Sequence, residues 1–307
     1  MWIVKHRKIF FGISIALTVI SIALFVFKGI PQSIEFKGGA LLEVAYTENV
    51  ATLEEVQLAV DSLDFGITVV QPTGDNGYIV KTKSLTEMER QGLMETLSVG
   101  GTYQVEEKSF TSIGPSVGRE LKHKATVSLI LVILAIVLFI AYAFRKISLP
   151  ISSWKYGFTA IFTLGHDVIV TAGTFAVFGI FLGAEADTLF IVALLTVLGV
   201  SVNDTIVVFD RIRENLQINT ETKNKEEFET TVGKSITQTM ERSINTSLTV
   251  VIVLLALYFF GPDTTKIFAL TMTVGMLVGT FSSIFLASPL LVVWQKMQEK
   301  KELAQAE

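Results

Sequence analysis

The sequence predicts a polytopic α-helical membrane protein: six transmembrane helices, with a ferredoxin-like α+β extracytoplasmic domain between helices 1 and 2. Three observations predict it. Half of the 307 residues are hydrophobic, only 18% are charged, and the mean hydropathy is +0.55; an ordinary soluble domain is about a quarter charged. Six stretches are apolar over the ~20 residues that a helix needs to cross the hydrocarbon. Between the first and second lies an acidic segment with its own alternation of strand-like and helix-like patterns.

The spans run Ile9–Phe27, Ala125–Phe144, Tyr156–Leu182, Leu189–Phe209, Ile244–Phe260 and Ile267–Val293. The first follows Lys5, Arg7 and Lys8, as in a signal peptide. Its apolar run is long, however, and GIPQSIEF is a poor cleavage site, so an uncleaved anchor is expected. Orientation follows from the positive-inside rule. The amino terminus, the loop with Arg145, Lys146 and Lys155, the loop from Arg211 to Arg242 and the Lys296–Lys301 tail all fall on one side. Both termini are therefore expected in the cytoplasm, with Lys122 and Lys124 against the trend. The expected divisions are 1–27 (amino terminus and helix 1), 28–123 (outer domain), 124–294 (helices 2 to 6) and 295–307 (tail).

Within 28–123, EFKGGALLEVAYT alternates like a strand and TLEEVQLAVDSL is amphipathic, with a capping box from Thr52 to Glu55. ITVVQPT and GYIVKTK flank Gly74, Asp75 and Asn76 as a strand pair. SLTEMERQGLMETL is read as a second capped helix, from Ser84 with Glu87, and TYQVEEKSF as a last strand. This β-α-β-β-α-β order is the split βαβ, ferredoxin-like arrangement. SIGPSVGREL follows, where Gly114, Pro115 and Gly118 suggest a hinge on which the domain rocks.

Composition also excludes. With no cysteine there are no disulfides, thiolate chemistry or Cys-based zinc sites. Histidines 6, 123 and 166 are too scattered for a metal cluster, and no cofactor is expected. A net charge of −4 without a long basic run gives no reason to expect nucleic acid. No nucleophile–base set appears, so an enzyme is not expected.

The informative residues are polar ones inside apolar runs. In GVSVNDTIVVFDRIREN, Asn203 and Asp204 interrupt the fourth span; Asp204 lies six residues before Asp210, roughly 9 Å in from the helix's inner end. An aspartate at mid-membrane costs on the order of 3 kcal/mol, and such residues face a protein interior or a water path. The third span carries His166 and Asp167 in TLGHDVIVTAG, and the fifth opens MERSINTSLTV, with Arg242 at its mouth. One reading has Asp204 exchanging a proton, with Arg242 or water stabilising its anion; the other has Asn203 and Asp204 holding helices together. His166 is a proton relay or a packing histidine. Gly275 and Gly279 in MLVGTFSSIF form a small-xxx-small pattern, read as close helix packing. The Glu226–Glu229 run is read as a solvated helix.

FKGGALLEV, SIGPSVG, GHDVIVTAG, SVNDTIVVFDRIREN, ERSINTSLT and VGTFSSIFLASP occur in that order. Together they closely resemble the SecF side of the SecD/SecF family, a branch of the resistance–nodulation–division superfamily that serves bacterial Sec protein translocation. The resemblance covers the chain from first span to last. It implies a six-helix bundle with one extracytoplasmic domain, paired pseudo-symmetrically with SecD. By motif, Asp204 matches the family's intramembrane aspartate tied to proton flow, Arg242 the arginine associated with it, and His166 with Asp167 the neighbouring GHD pair. The implied activity is proton-driven assistance to late preprotein translocation across the cytoplasmic membrane. The implied partners are a separate SecD chain, the SecYEG channel, SecA, the preprotein and membrane lipid, with YajC and YidC as further candidates. Two alternatives stay open: a proton-driven small-molecule exporter of the same superfamily, and a non-conducting scaffold of the translocon.

Overall fold

The computed structural model describes residues 2–66, 68–99, 101–143, 153–224 and 226–306. Arg145 and Lys146, part of the orientation argument, lie outside these. The chain divides into two compact units, Gln32–Val127 and the remainder. It opens with a short helix α1 (Trp2–Lys5) and the first long one, α2 (Arg7–Lys28).

The Gln32–Val127 unit contains α3 (Ile34–Lys37), β1 (Gly39–Tyr46), α4 (Leu53–Asp61), β2 (Val69–Thr73), β3 (Gly77–Thr82), α5 (Glu87–Leu97) and β4 (Val105–Ile113). The four strands form one antiparallel sheet in the order β2-β3-β1-β4. The strand period of two turns Leu42, Val44 and Tyr46 of β1 to one face. There they meet Val56 and Val60 of α4 and Leu93 and Leu97 of α5, all fully buried. Buried tyrosine hydroxyls tie this core to the backbone: Tyr46 donates to the Leu97 carbonyl (3.0 Å) and Tyr78 to that of Ala51 (2.7 Å). Burial pushes the Tyr46 hydroxyl up to about 12.

Thr52 and Glu55 cap α4 reciprocally, as expected. The cap of α5 is not Ser84 with Glu87 but Thr86 with Glu89. Both pairs satisfy the same spacing; the later start puts Leu85 ahead of the cap, buried in the core and bonded through its N–H to Ser112. Glu87 is thereby left to pair with Arg90, whose other partner is Glu107 on β4. Gly114 ends β4's connection, and Pro115 is the first residue of α6 (Pro115–Ala143), a position that wastes no hydrogen bond. Gly118 is a close approach: a Cβ there would lie 2.9 Å from the amide nitrogen of Gly38, itself at φ 80° after α3.

The membrane unit adds α7 (Ser153–Leu182), α8 (Thr188–Glu221), α9 (Phe228–Phe260), α10 (Asp263–Ser282), a five-residue π segment (Ser283–Ala287) and α11 (Ser288–Ala306). Among the described residues six helices are long and apolar enough to cross a membrane: α2, α6, α7, α8, α9 and the rod from α10 into α11. α7, α8 and that rod form the interior, while α2 and α6 are mostly exposed.

Helices α8 and α9 outrun their apolar cores. The stretch from Arg211 to Arg242, expected as a loop, is mostly a helical hairpin, closed by Ile212, Phe228, Val232 and Ile236 and by Asn215 donating to Ser235 and Gln238. Glu229, expected in solvent, is half-buried and pairs with Arg7 (2.8 Å) and with Lys296. The Lys296 side chain, read as an orientation signal, thus also has a structural partner.

Candidate functional site

The polar side chains of the membrane unit gather around two carboxylates. Asp167 on α7 is fully buried. Its Oδ1 lies 2.8 Å from His166 Nδ1, while its Oδ2 accepts from Ser201 of α8 (2.5 Å) and from Ser282 of α10 (2.7 Å). Three helices therefore converge on one side chain. Each such hydrogen bond contributes about 0.5–1.5 kcal/mol net, so this cluster fastens the centre of the bundle. His166 is buried too, and its Nε2 has no partner among the described residues.

Asp204 is placed differently. Ser243 of α9 donates to its Oδ1 at 2.7 Å, whereas its Oδ2 is buried and without a partner among the described residues. Arg242, which the sequence placed beside this carboxylate, is on the exposed side of α9. Among the described residues it makes no ion pair with Asp204, but it stands within Coulombic reach. The next residue makes the contact. Asn203 is exposed and joins neither cluster, because one residue turns a helix by 100°.

Helix spacing explains the grouping. Ser201, Asp204 and Thr205 stand at i, i+3 and i+4, so they share one face of α8; Thr205 meets Ser283 at 3.0 Å. Ser247 of α9 bonds Thr280 of α10. Gly275 and Gly279 bring α10 against α8: a Cβ at Gly275 would fall 2.2 Å from Val197 Cγ2, and one at Gly279 would fall 3.0 Å from Ser201 Cβ. The π segment follows at once. Its wider turn accompanies two adjacent inward serines, Ser282 to Asp167 and Ser283 to Thr205, and such segments recur at functional sites.

Four serines, 201, 243, 282 and 283, were not singled out by sequence. Ser201, Ser282 and Ser283 carry the signal of hydroxyls lying within hydrophobic runs, and Ser243 stands just before the fifth such run. Among the described residues no group of three or more His, Asp or Glu side chains is arranged to hold a metal.

Fold and site together define a multi-pass helical membrane protein with a hydroxyl-lined intramembrane carboxylate centre and one α+β unit between its first two spans. Residues 94–297 match the family model for protein export membrane protein SecD/SecF, C-terminal. The chain is 41% identical to protein translocase subunit SecF of Thermobaculum terrenum and 38% identical to that of Anaerolinea thermophila. In both comparisons the alignment covers 95% of this chain, with 93% and 94% of the relative covered respectively. A crystal structure of SecDF, a translocon-associated membrane protein from Thermus thermophilus, superposes with a TM-score of 0.81 at 29% identity; the match covers 95% of this chain and 38% of that one. The chain belongs to the SecD/SecF family of protein export membrane proteins.

Proposed function

We propose that this chain, paired with SecD, uses the proton motive force to assist late preprotein translocation across the bacterial cytoplasmic membrane, and does so without enzymatic chemistry. The observation that carries the reading is Asp204: an intramembrane carboxylate with one oxygen held by Ser243 and the other buried and unbonded. Such a group takes up a proton at little structural cost, because no protein donor has to be displaced from Oδ2. Arg242 stabilises the anion from a distance and leaves the neutral form accessible. Moving one charge through 100 mV is worth about 2.3 kcal/mol, enough to bias a two-state change in the Gln32–Val127 unit.

SecD is the partner this reading needs, since the matched SecDF chain is much longer than this one. SecYEG and SecA supply the channel and the ATP-driven insertion on which the chain acts; YajC and YidC are further members of the assembly. Both termini face the cytoplasm in this arrangement. The test is preprotein release from membranes carrying Asp204→Asn. Loss of proton-dependent release, with assembly with SecD retained, supports the reading. Unchanged release would favour a scaffold, and altered drug accumulation with normal secretion would favour an exporter.

A further inference from the structure

We infer that Asp167 and Asp204 form one coupled pair, bridged by a single buried water in a cleft beside Gly279; this rests on the reading that Asp204 exchanges a proton. Ser201, Asp204, Gly279 and Thr280 line the cleft, which has room for the centre of one water, about 10 Å³. A buried water needs roughly that space and two to four polar partners. Asp204 Oδ2 is buried and unbonded, so it requires a donor. Ser201 spends its only hydrogen on Asp167 Oδ2, which leaves its lone pairs to accept. Thr280 Oγ1 stands as a third polar neighbour.

A water in the cleft donates one hydrogen to Asp204 Oδ2 and the other to Ser201 Oγ. The result is an unbroken line: Asp204, water, Ser201, Asp167. When Asp204 takes up one proton the first bond reverses: the carboxyl donates to the water, and the water hydrogen so released turns to Thr280 Oγ1. The charged and titratable groups around the line are Arg242 on the Asp204 side and His166 on the Asp167 side. Gly279 keeps the space open, since any side chain there would crowd Ser201. Two carboxylates on different helices thus sense one another through a chain of hydrogen bonds, and the α7–α8–α10 junction registers each proton that Asp204 takes up.

Infrared difference spectroscopy on the full chain in lipid nanodiscs tests this. The carboxyl band of Asp204, assigned by its loss in Asp204→Asn, is followed across a pH titration. Ser201→Ala and Gly279→Ala are each expected to move its midpoint by about one pH unit, the scale that marks coupled sites. In the unaltered protein, an O–H stretching band that shifts in H₂¹⁸O is expected to change together with the carboxyl band. An unmoved midpoint in both variants, or no such isotope-sensitive band, overturns the coupling. Neither result depends on whether Asp204→Asn impairs preprotein release, which tests the functional reading separately.

Discussion

Asp167 and Asp204 sit on neighbouring helices of one bundle, yet the protein treats them in opposite ways. Asp167 is sealed from solvent, and both of its oxygens are bonded, by groups from three helices. Asp204 is partly exposed and bonded through one oxygen only. A carboxyl group held at both oxygens by three partners resists change, because a shift in any one of them disturbs the others. A carboxylate with a spare oxygen accepts a proton without disturbing its holder. Structure and switching are thereby separated by a single row of hydroxyls.

The sharpest way to break this contrast is to truncate each acid. Asp167→Ala takes away the buried partner of Ser201 and of His166, while Ser282 keeps the Gly279 carbonyl. At about 1–3 kcal/mol for each buried group left unpaired, a loss of roughly 3 kcal/mol or more is expected in denaturant unfolding of the detergent-solubilised chain. Asp204→Ala strands only Ser243 and is expected to cost about 1 kcal/mol. Equal losses would erase the distinction.

A smaller effect is expected where α10 meets α8. Gly275→Ala forces a Cβ into Val197 and is expected to cost about 1–3 kcal/mol. Val197→Ala, made in the same chain, should recover much of that loss. Gly279→Ala, with a wider gap to Ser201, should cost less in the same unfolding assay.

The smallest effect belongs to a third carboxylate, in the Gln32–Val127 unit. The Thr86 amide and hydroxyl, with Lys83, hold Glu89 down to about 2 from an ordinary 4.5. Because the folded value is the lower one, its contribution is fully present above the ordinary value and is lost as pH falls towards 2. Glu89→Gln should lower the hydrogen-exchange protection of α5 near neutral pH, where the charged carboxylate contributes, and flatten its acid limb. Glu89 is as fully engaged as Asp167 but stands in water, so the comparison isolates what burial adds.

Much of this was legible beforehand. Alternation gave the order of strands and helices in the small unit, because a half-buried sheet requires it. Asp204 and Asp167 stood out because lipid tolerates few acids. What escaped had local causes. Two Thr/Ser-x-x-Glu pairs competed for the start of α5, and only the burial of Leu85 decides between them. The ends of α8 and α9 were hidden because a helix continues into water on amphipathic packing after its apolar run stops. Arg242 had drawn attention as the charged neighbour of the deep acid, yet the helix turn gives the inward place to Ser243. The π segment has no sequence signature that separates it from ordinary helix.

Glu229 gathers Arg7 from near the beginning of the chain and Lys296 from near its end. During synthesis the amino-terminal cation is available first, while the other leaves the ribosome last. The carboxylate therefore waits half-neutralised only over the 67 residues that separate it from Lys296. Its second clasp closes only once translation has passed the sixth span, so this small ionic knot forms after all six apolar helices have been made.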